Sequence, residues 1–314
     1  MSIGVIGQGF VGGSLTTVFS ERGETVYTYD KTGKTAQGSF DLSSTWSLKG
    51  MVDYAERVGS AKGHKFSGVY FVCVPTPMYE DGSADLSIVE SVLEDLANIP
   101  GDRIAVVKST VPPGSTDTWN KRYNQMGLHV IFNPEFLTEA NAINDMREQN
   151  RIVLGGPRPY INTVRNIFQR AFPKVPIIKT SATTAEMVKY VTNCMLAVKV
   201  SFANEVAQIC EALDADGLNI DYDKVVEYAK VDRRLGETHW SVPGPVPTHD
   251  GRYVRGFGGH CFPKDINALM SVARKYDVKP SVMQAAWEKN LEVRGPDDRD
   301  WEKQIGRAVS KRKQ

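Results

Sequence analysis

Neither sign of charge dominates this sequence: 38 lysines and arginines face 37 aspartates and glutamates. Such a balance leaves no electrostatic footprint for nucleic acid or an anionic membrane, so neither is an expected partner. The basic "KRKQ" at the C-terminus reads as a solvated tail. No run of 18 apolar residues occurs, which excludes a membrane-spanning helix from the expectation. A core strand, "IGVIG", already begins at residue 3 and leaves no room for a signal peptide, so a cytoplasmic protein is expected. Cysteine is scarce: Cys73, Cys194, Cys210 and Cys261 lie far apart without CxxC spacing. Neither a zinc site nor a disulfide scaffold is suggested, and no metal is expected. No repeat at a solenoid period is present either.

What the chain does have is enough apolar residues, 41%, to bury a core across one large or two ordinary domains. Its first half alternates short β-branched runs with helical stretches: "IGVIG", "ETVYTYD", "GVYFVCVP", "RIAVVKST" and "LHVIFN", followed by "RIVLGG" and "VPIIKT". Continuous apolar runs mark strands covered on both faces, which predicts an α/β domain with a doubly wound parallel sheet over residues 1–179. Between Asp30 and Ser67 the pattern is weak and polar, and no elements are assigned there. From "TTAEMVKYVTNCMLAVKVSFANEVAQICEAL" onward proline and glycine vanish for about 30 residues, which predicts a long, largely buried helix. "YDKVVEYAKV", "DINALMSVARKY" and "SVMQAAWEKNLEV" supply further helices, so residues 180–290 form a mostly helical domain around that long central helix. Residues 291–314, opening "RGPDDRD", read as a polar helix or a loose tail.

"GVIGQGFVGGSL" carries Gly7, Gly9 and Gly12 in GxGxxG spacing, directly after a strand and opening a helix. In that setting Gly7 permits the tight turn, Gly9 lets a pyrophosphate approach the backbone, and Gly12 lets helix and strand pack closely. The helix N-terminus then faces the phosphates, as in a Rossmann-type domain. Asp30 ends the second strand, where its carboxylate can accept hydrogen bonds from a ribose and repel a 2′-phosphate. NAD is therefore favoured over NADP, with Lys31 and Lys34 as the residues that keep NADP open.

A second cluster lies in "GFGGHCFPKD", residues 256–265. Pro263 suits the first position of a helix that would carry Ile266, Leu269, Met270, Ala273 and Tyr276 on one face. Cys261 then sits at the helix mouth with Lys264 and Asp265 in the first turn. There the helix dipole stabilises a thiolate by up to roughly 1–2 kcal/mol. An isolated cysteine in this place would be read as a small core residue; these neighbours favour chemistry. The other three cysteines read as core. On the long helix Lys189 and Asn193 are four apart and share a face. A desolvated lysine there is suited to bind or deprotonate a polarised oxygen. In "NPEFLTEA" Pro134 again suits a helix start, with Glu135 explained by capping and Glu139 one turn further on. "KSTVPPGST" places Thr110 at the C-terminal end of a strand, where ligands of open α/β sheets bind.

Taken together, these motifs resemble the UDP-glucose 6-dehydrogenase family, which also contains GDP-mannose and UDP-N-acetylmannosamine dehydrogenases. The resemblance runs from "GVIGQGFVGGSL" through "VCVPTP", "KSTVPPGST", "NPEFLTEA", "AEMVKYVTNCMLAVKVSFANE" and "DRRLG" to "GFGGHCFPKD". It implies a four-electron oxidation of a sugar C6 alcohol to a carboxylate with two NAD, on a homodimer acting on a nucleotide sugar, with UDP-glucose the first choice. Cys261 matches the nucleophile that forms a thiohemiacetal and then a thioester. Lys189 and Asn193 match oxyanion-steadying groups, and Asp265 and Glu139 match those handling the water and its proton, with Thr110 nearby. Gly7, Gly9, Val11, Gly12, Asp30, Thr76, Thr110, Glu139 and Lys264 match cofactor contacts. Glu135, Phe136, Leu137 and Gly258 match the sugar-nucleotide side, together with Lys189 and Asn193, and Arg234 matches an arginine offered across a dimer interface.

The chain departs from the family in two ways. Members normally continue into a third, nucleotide-gripping domain, whereas this sequence stops at Gln314. The segment between Arg234 and Cys261 is expanded, and His239, Trp240, Arg252 and Arg255 within it are expected to replace part of that grip. Two other readings remain: a hydroxyacid dehydrogenase of the 3-hydroxyisobutyrate type, which removes one hydride and needs no cysteine, and a catalytically silent NAD-binding protein.

Overall fold

The computed structural model describes residues 2–34, 40–41, 47–61, 66–248 and 250–311. Two units each close on their own contacts: Met1–Thr76 with Leu86–Lys189, and Pro77–Asp85 with Tyr190–Gln314.

The first unit is built on β1 (Ser2–Ile6), β2 (Thr25–Tyr29), β3 (Phe40–Asp41), β4 (Phe66–Val72), β5 (Arg103–Val107), β6 (Leu128–Phe132), β7 (Ile152–Gly155) and β8 (Ile177–Thr180). They form one sheet in the order β3-β2-β1-β4-β5-β6-β7-β8. Every residue of β1, β5, β6 and β7 is buried, which is why their sequences run apolar without alternation. Helices α1 (Phe10–Glu21), α2 (Leu48–Ala61), α3 (Ser87–Ala97), α4 (Ser115–Tyr123), α5 (Ala142–Arg147) and α6 (Tyr160–Ala171) accompany the sheet. Two apolar clusters fill the unit. Leu48, Met51, Val52 and Ala55 of α2 join one; Leu15, Val18 and Phe19 of α1 join the other with Val164, Ile167 and Phe168 of α6.

All seven sequence-predicted strands form; β3 and α2 arise in the stretch without assigned elements. The expected all-parallel sheet is modified at one point: β7 meets β6 antiparallel, through the single pair Phe132↔Gly155, and β8 runs parallel to β7. The six-residue α5 packs against α1, its Arg147 paired with Glu21, and does not complete a crossover between β6 and β7. Winding reverses at β1, which lies between β2 and β4, so the turn after β1 sits where open α/β sheets bind ligands.

The second unit is helical. Most of α7 (Ala182–Ala215) belongs to it, with α8 (Tyr222–Ala229), α9 (Phe262–Lys275) and α10 (Ser281–Arg294). Its core joins Tyr190, Cys194 and Ala197 of α7 to Ile266 and Ala268 of α9, Ala286 of α10 and the loop residue Phe257. On α9, Ile266 and Met270 are buried as expected, but Tyr276 lies past the last turn and is exposed. The expectation of a largely buried α7 needs correcting: Val191, Met195, Phe202 and Ile209 form a stripe, each more than half exposed. The segment read as a polar helix or a loose tail is packed into this unit. Trp301 is buried against Trp287, and Met78 and Val309 form a β-bridge, with the Met78 N–H donating to the Ala308 carbonyl at 2.8 Å.

Candidate active site

The turn after β1 shows what each glycine is for. Gly7 has φ +87°, the left-handed region that a side chain disfavours. A Cβ on Gly12 would overlap the Gly7 carbonyl oxygen and lie 3.2 Å from Cys73 Cβ, so this position is closed by the protein's own packing. Gly9 is different: among the described residues, nothing lies within 4 Å of the place a Cβ would take. It caps α1, whose first turn has no acidic residue, and Val11 follows half-buried. That open, N–H-lined approach fits the pyrophosphate of a dinucleotide.

Asp30 follows β2. Its Oδ2 accepts from the Gln8 N–H at 2.7 Å and its Oδ1 from the Thr32 N–H and hydroxyl at 2.7 and 2.6 Å. Burial acts to raise its pKa, yet these donors and Lys34 hold the carboxyl below its ordinary value, so it stays an anion. Thr76 and Thr110 are brought together, the Thr76 hydroxyl donating to the Thr110 carbonyl at 2.8 Å.

A charged cluster lies beyond the C-terminal ends of β5 and β6. Glu135 is 6% exposed; its Oε1 accepts from Lys189 Nζ at 2.8 Å and its Oε2 from the Leu137 N–H at 2.7 Å. Burial acts to raise the Glu135 pKa, but Lys189, the Leu137 N–H and Lys108 together hold it below the usual carboxylate value. Lys189, 3% exposed, also stands 5.9 Å from the Phe136 ring, over which Arg151 stacks at 4.0 Å. The expected helix start at Pro134 is absent: residues 133–138 are irregular because Glu135 spends its oxygens on Leu137 and a lysine 54 residues away, not on a helix cap. Glu139 opens a short 3-10 turn, Glu139–Asn141, and is exposed. Lys108, which the motif reading passed over, directly follows the apolar β5 as a buried residue, its Nζ donating to Asn133 Oδ1 at 2.7 Å. A lysine closing so apolar a run as "RIAVVK" was the available signal.

Further along the chain, Cys261 occupies the N-cap position of α9, with Phe262 first and Pro263 second in the helix, one residue earlier than the expected start. It is half-buried. Asp265 is nearly sealed, with Oδ2 accepting from Asn193 Nδ2 at 2.6 Å and Oδ1 from Lys264 Nζ at 2.5 Å. The cation in the first turn thus serves the aspartate. Burial pushes the Cys73 thiol up to about 12 and raises the Cys194 thiol further; Cys210 is buried.

Gly256 and Gly258 have a packing reason. A Cβ on Gly256 would overlap Asn290 Oδ1, and one on Gly258 would overlap Asp300 and Arg294. The space beside these two α-carbons is therefore filled by α10 and the segment after it. Asn290 accepts from the Phe257 N–H at 2.7 Å and donates to its carbonyl at 3.0 Å, and Asp300 accepts from the Gly259 N–H at 2.9 Å. In the expanded segment, Arg252 pairs with Asp250 and Asp298, and Arg255 with Glu211, so both guanidiniums already have carboxylates. Trp240 donates to the Gly236 carbonyl and lies under Lys199, while His239 stands 5.7 Å from the Phe262 ring. Arg234 is 88% exposed and paired with Asp232.

Elsewhere, on α7, Glu186 places its carboxylate on the N-terminus of α4, accepting from the Gly114 and Thr116 N–H groups at 2.6 and 2.8 Å. Among the described residues no group of three or more His, Cys, Asp or Glu could hold a metal, and no helix is long and apolar enough to cross a membrane.

The chain is similar to known proteins in sequence and fold. The UDP-glucose 6-dehydrogenase AglM of Haloferax volcanii is 30% identical over 92% of this chain and 69% of its own. The UDP-glucose 6-dehydrogenase TuaD of Bacillus subtilis is 31% identical over 93% of this chain and 63% of its own. The structure of a UDP-glucose dehydrogenase from Pyrobaculum islandicum superposes with a TM-score of 0.71 at 27% identity, covering 93% of this chain and 68% of that one. The chain thus spans about two thirds of the length of these relatives. The NAD-binding-domain model of one family matches residues 1–172, which hold the glycine turn and Asp30; its central-domain model matches residues 183–292, which hold Lys189, Asn193 and Cys261. With both models met in this order, the chain belongs to the UDP-glucose/GDP-mannose dehydrogenase family.

Proposed function

We propose that this protein oxidises the C6 alcohol of a nucleotide sugar, UDP-glucose as first choice, to the uronate in two steps, with Cys261 as covalent nucleophile. The observation that carries this reading is the contrast among the cysteines. Cys194 and Cys210 are buried, and burial raises the Cys73 and Cys194 thiols, while Cys261, half-buried as Cys73 is, stands at the mouth of α9, where the helix dipole favours a thiolate.

NAD would be held by Gly7, Gly9, Val11, Gly12, Asp30, Thr76, Thr110, Glu139 and Lys264, and supplies the hydride acceptor for each of the two oxidations. The chain's own groups do the rest. A base takes the hydroxyl proton as the alcohol becomes an aldehyde, and Lys189 suits that task or the steadying of the oxygen. Cys261 Sγ adds to the aldehyde carbon, giving a thiohemiacetal, whose C–H hydride leaves in the second oxidation to give a thioester. Water then adds, the carbon–sulfur bond breaks, and the thiol and a carboxylate are released. Asn193 steadies the oxyanion; Asp265 and Glu139 handle the water and its proton, with Thr110 nearby. Glu135 is assigned to the sugar-nucleotide side, as are Phe136, Leu137 and Gly258 through their backbone groups. Sealed as it is, Asp265 also orients Asn193.

The exposed apolar stripe on α7 supports a homodimer, since such a face favours a partner, and Arg234 would be offered across it. By this reading residues 1–179 are the NAD-binding domain and 180–290 the catalytic and dimerisation domain, in the cytoplasm, where nucleotide sugars and NAD meet. The test is incubation with NAD and a panel of UDP- and GDP-sugars, counting NADH per sugar. Two support the reading, one favours a hydroxyacid-type dehydrogenase, and none a silent binder. Cys261→Ser should stop the second oxidation while leaving some of the first; unchanged overall turnover would refute the covalent role.

A further inference from the structure

Lys108 has no part in the chemistry above, yet it is 4% exposed and carries an ammonium group where burial is expensive. Four charged or titratable groups interact here: Cys73 after β4, Lys108 after β5, Glu135 after β6, and Lys189 on α7. Burial pushes the Lys108 ammonium down to about 8, against the pull of Glu135 and the thiol and with the push of Lys189. Lys189 is bonded to Glu135, while Lys108, held by Asn133, acts on the same carboxylate through its charge, so these four groups carry a positive charge beyond what Glu135 neutralises whenever Lys108 is protonated.

That surplus matters because Lys189 is bound to Glu135 at 2.8 Å. If Lys189 acts on a substrate oxygen, as the reading above requires and on which this inference rests, it must loosen that bond. A buried carboxylate stripped of its bonded cation, with no other near, costs several kcal/mol. A second cation that stays in place lowers that cost, and its repulsion makes Lys189 readier to move. Asn133 fixes Lys108 for this duty, accepting its proton at 2.7 Å while its own amide donates to the Val153 carbonyl at 2.8 Å.

We propose that Lys108 is a positioning residue: it holds the charge of Glu135 so that Lys189 can exchange Glu135 for the substrate oxygen and return. A merely structural Lys108 would tie the ends of β5 and β6 together through Asn133 and leave the titration of Lys189 alone.

The full-length protein is compared with Lys108→Met and Lys108→Arg. With no substrate or cofactor present, lysine side-chain NMR over pH should show the Lys189 titration moving upward in Lys108→Met, because a like charge has gone, and returning toward wild type in Lys108→Arg. With NAD and the active sugar nucleotide, kcat should fall about tenfold or more in Lys108→Met with KM little changed, since the group acts only once Lys189 changes partner. A folded Lys108→Met whose Lys189 titrates as in wild type overturns the proposal. Should that variant not fold, the wild-type protein decides: coupled, biphasic curves for the two lysines are expected, and independent single curves overturn it. These titrations use no substrate, so failure of the dehydrogenase reading, seen as no NADH from the wild type, is separate from failure of this one.

Discussion

Replacing Gly9 and Gly12 separately by alanine divides what the fold needs from what the ligand needs. At Gly12 a methyl would overlap the Gly7 carbonyl oxygen, with the Gly7 carbonyl carbon at 3.0 Å and Cys73 Cβ at 3.2 Å. Backbone on one side and the residue directly after β4 on the other cannot swing away, so α1 must shift, and overpacking of this kind costs about 1–3 kcal/mol or more. At Gly9 the backbone is at φ −68°, ψ −168°, open to any residue, and the Cβ meets nothing within 4 Å among the described residues. Gly9→Ala should therefore fold as well as wild type or gain about 0.4–1 kcal/mol from a stiffer unfolded chain. Its cost should appear only when NAD arrives, because the methyl holds the pyrophosphate away from the N–H groups. Loss of one charge-assisted hydrogen bond, about 1.5–3 kcal/mol, weakens Kd about 10- to 150-fold. Urea unfolding and NAD titration on both variants provide the assay. Gly9→Ala binding NAD like wild type, or Gly12→Ala unfolding like wild type, would show that the roles of these glycines have been misread.

Asn290→Ala strips Phe257 of both backbone partners inside a sealed site and should cost about 2–5 kcal/mol in urea unfolding; a loss below about 1 kcal/mol would contradict the bracing of the glycine loop. The Asp30 carboxyl is held below its ordinary value, so the stability it contributes is complete above the unfolded carboxyl's pKa and fades as pH falls through the folded one. Asp30→Asn should therefore unfold earlier than wild type near neutrality, and the gap should close as pH drops below about 4, as followed by thermal melts.

Strands were legible because both their faces are covered: "IGVIG" and "RIAVV" have no polar side to disguise them. The missed α2 does carry a helical period, Leu48, Met51, Val52 and Ala55, but a polar face and weak flanks hid it. The two residues of β3 are too few to signal themselves. In the candidate site, spacing singled out Gly7, Asp30, Cys261 and the Lys189–Asn193 pair as candidates, since each choice depends on local geometry. Glu135 was misjudged because its partner comes from 54 positions away, and Lys108 because a lysine after a strand usually reaches solvent. The packed tail rests on Trp301 and Val309, isolated apolar residues in a polar stretch.

Two helices in the sheet unit start at a glycine, α1 after Gly9 and α4 after Gly114, and by backbone alone both could receive an anion. Glu186 already fills the second, its oxygens set on the Gly114 and Thr116 amides. A phosphate drifting toward α4 would find these amides already taken by a resident carboxyl group, whereas α1 offers it bare donors. By stoppering one mouth with its own carboxylate, the protein steers a polyanionic guest to the other.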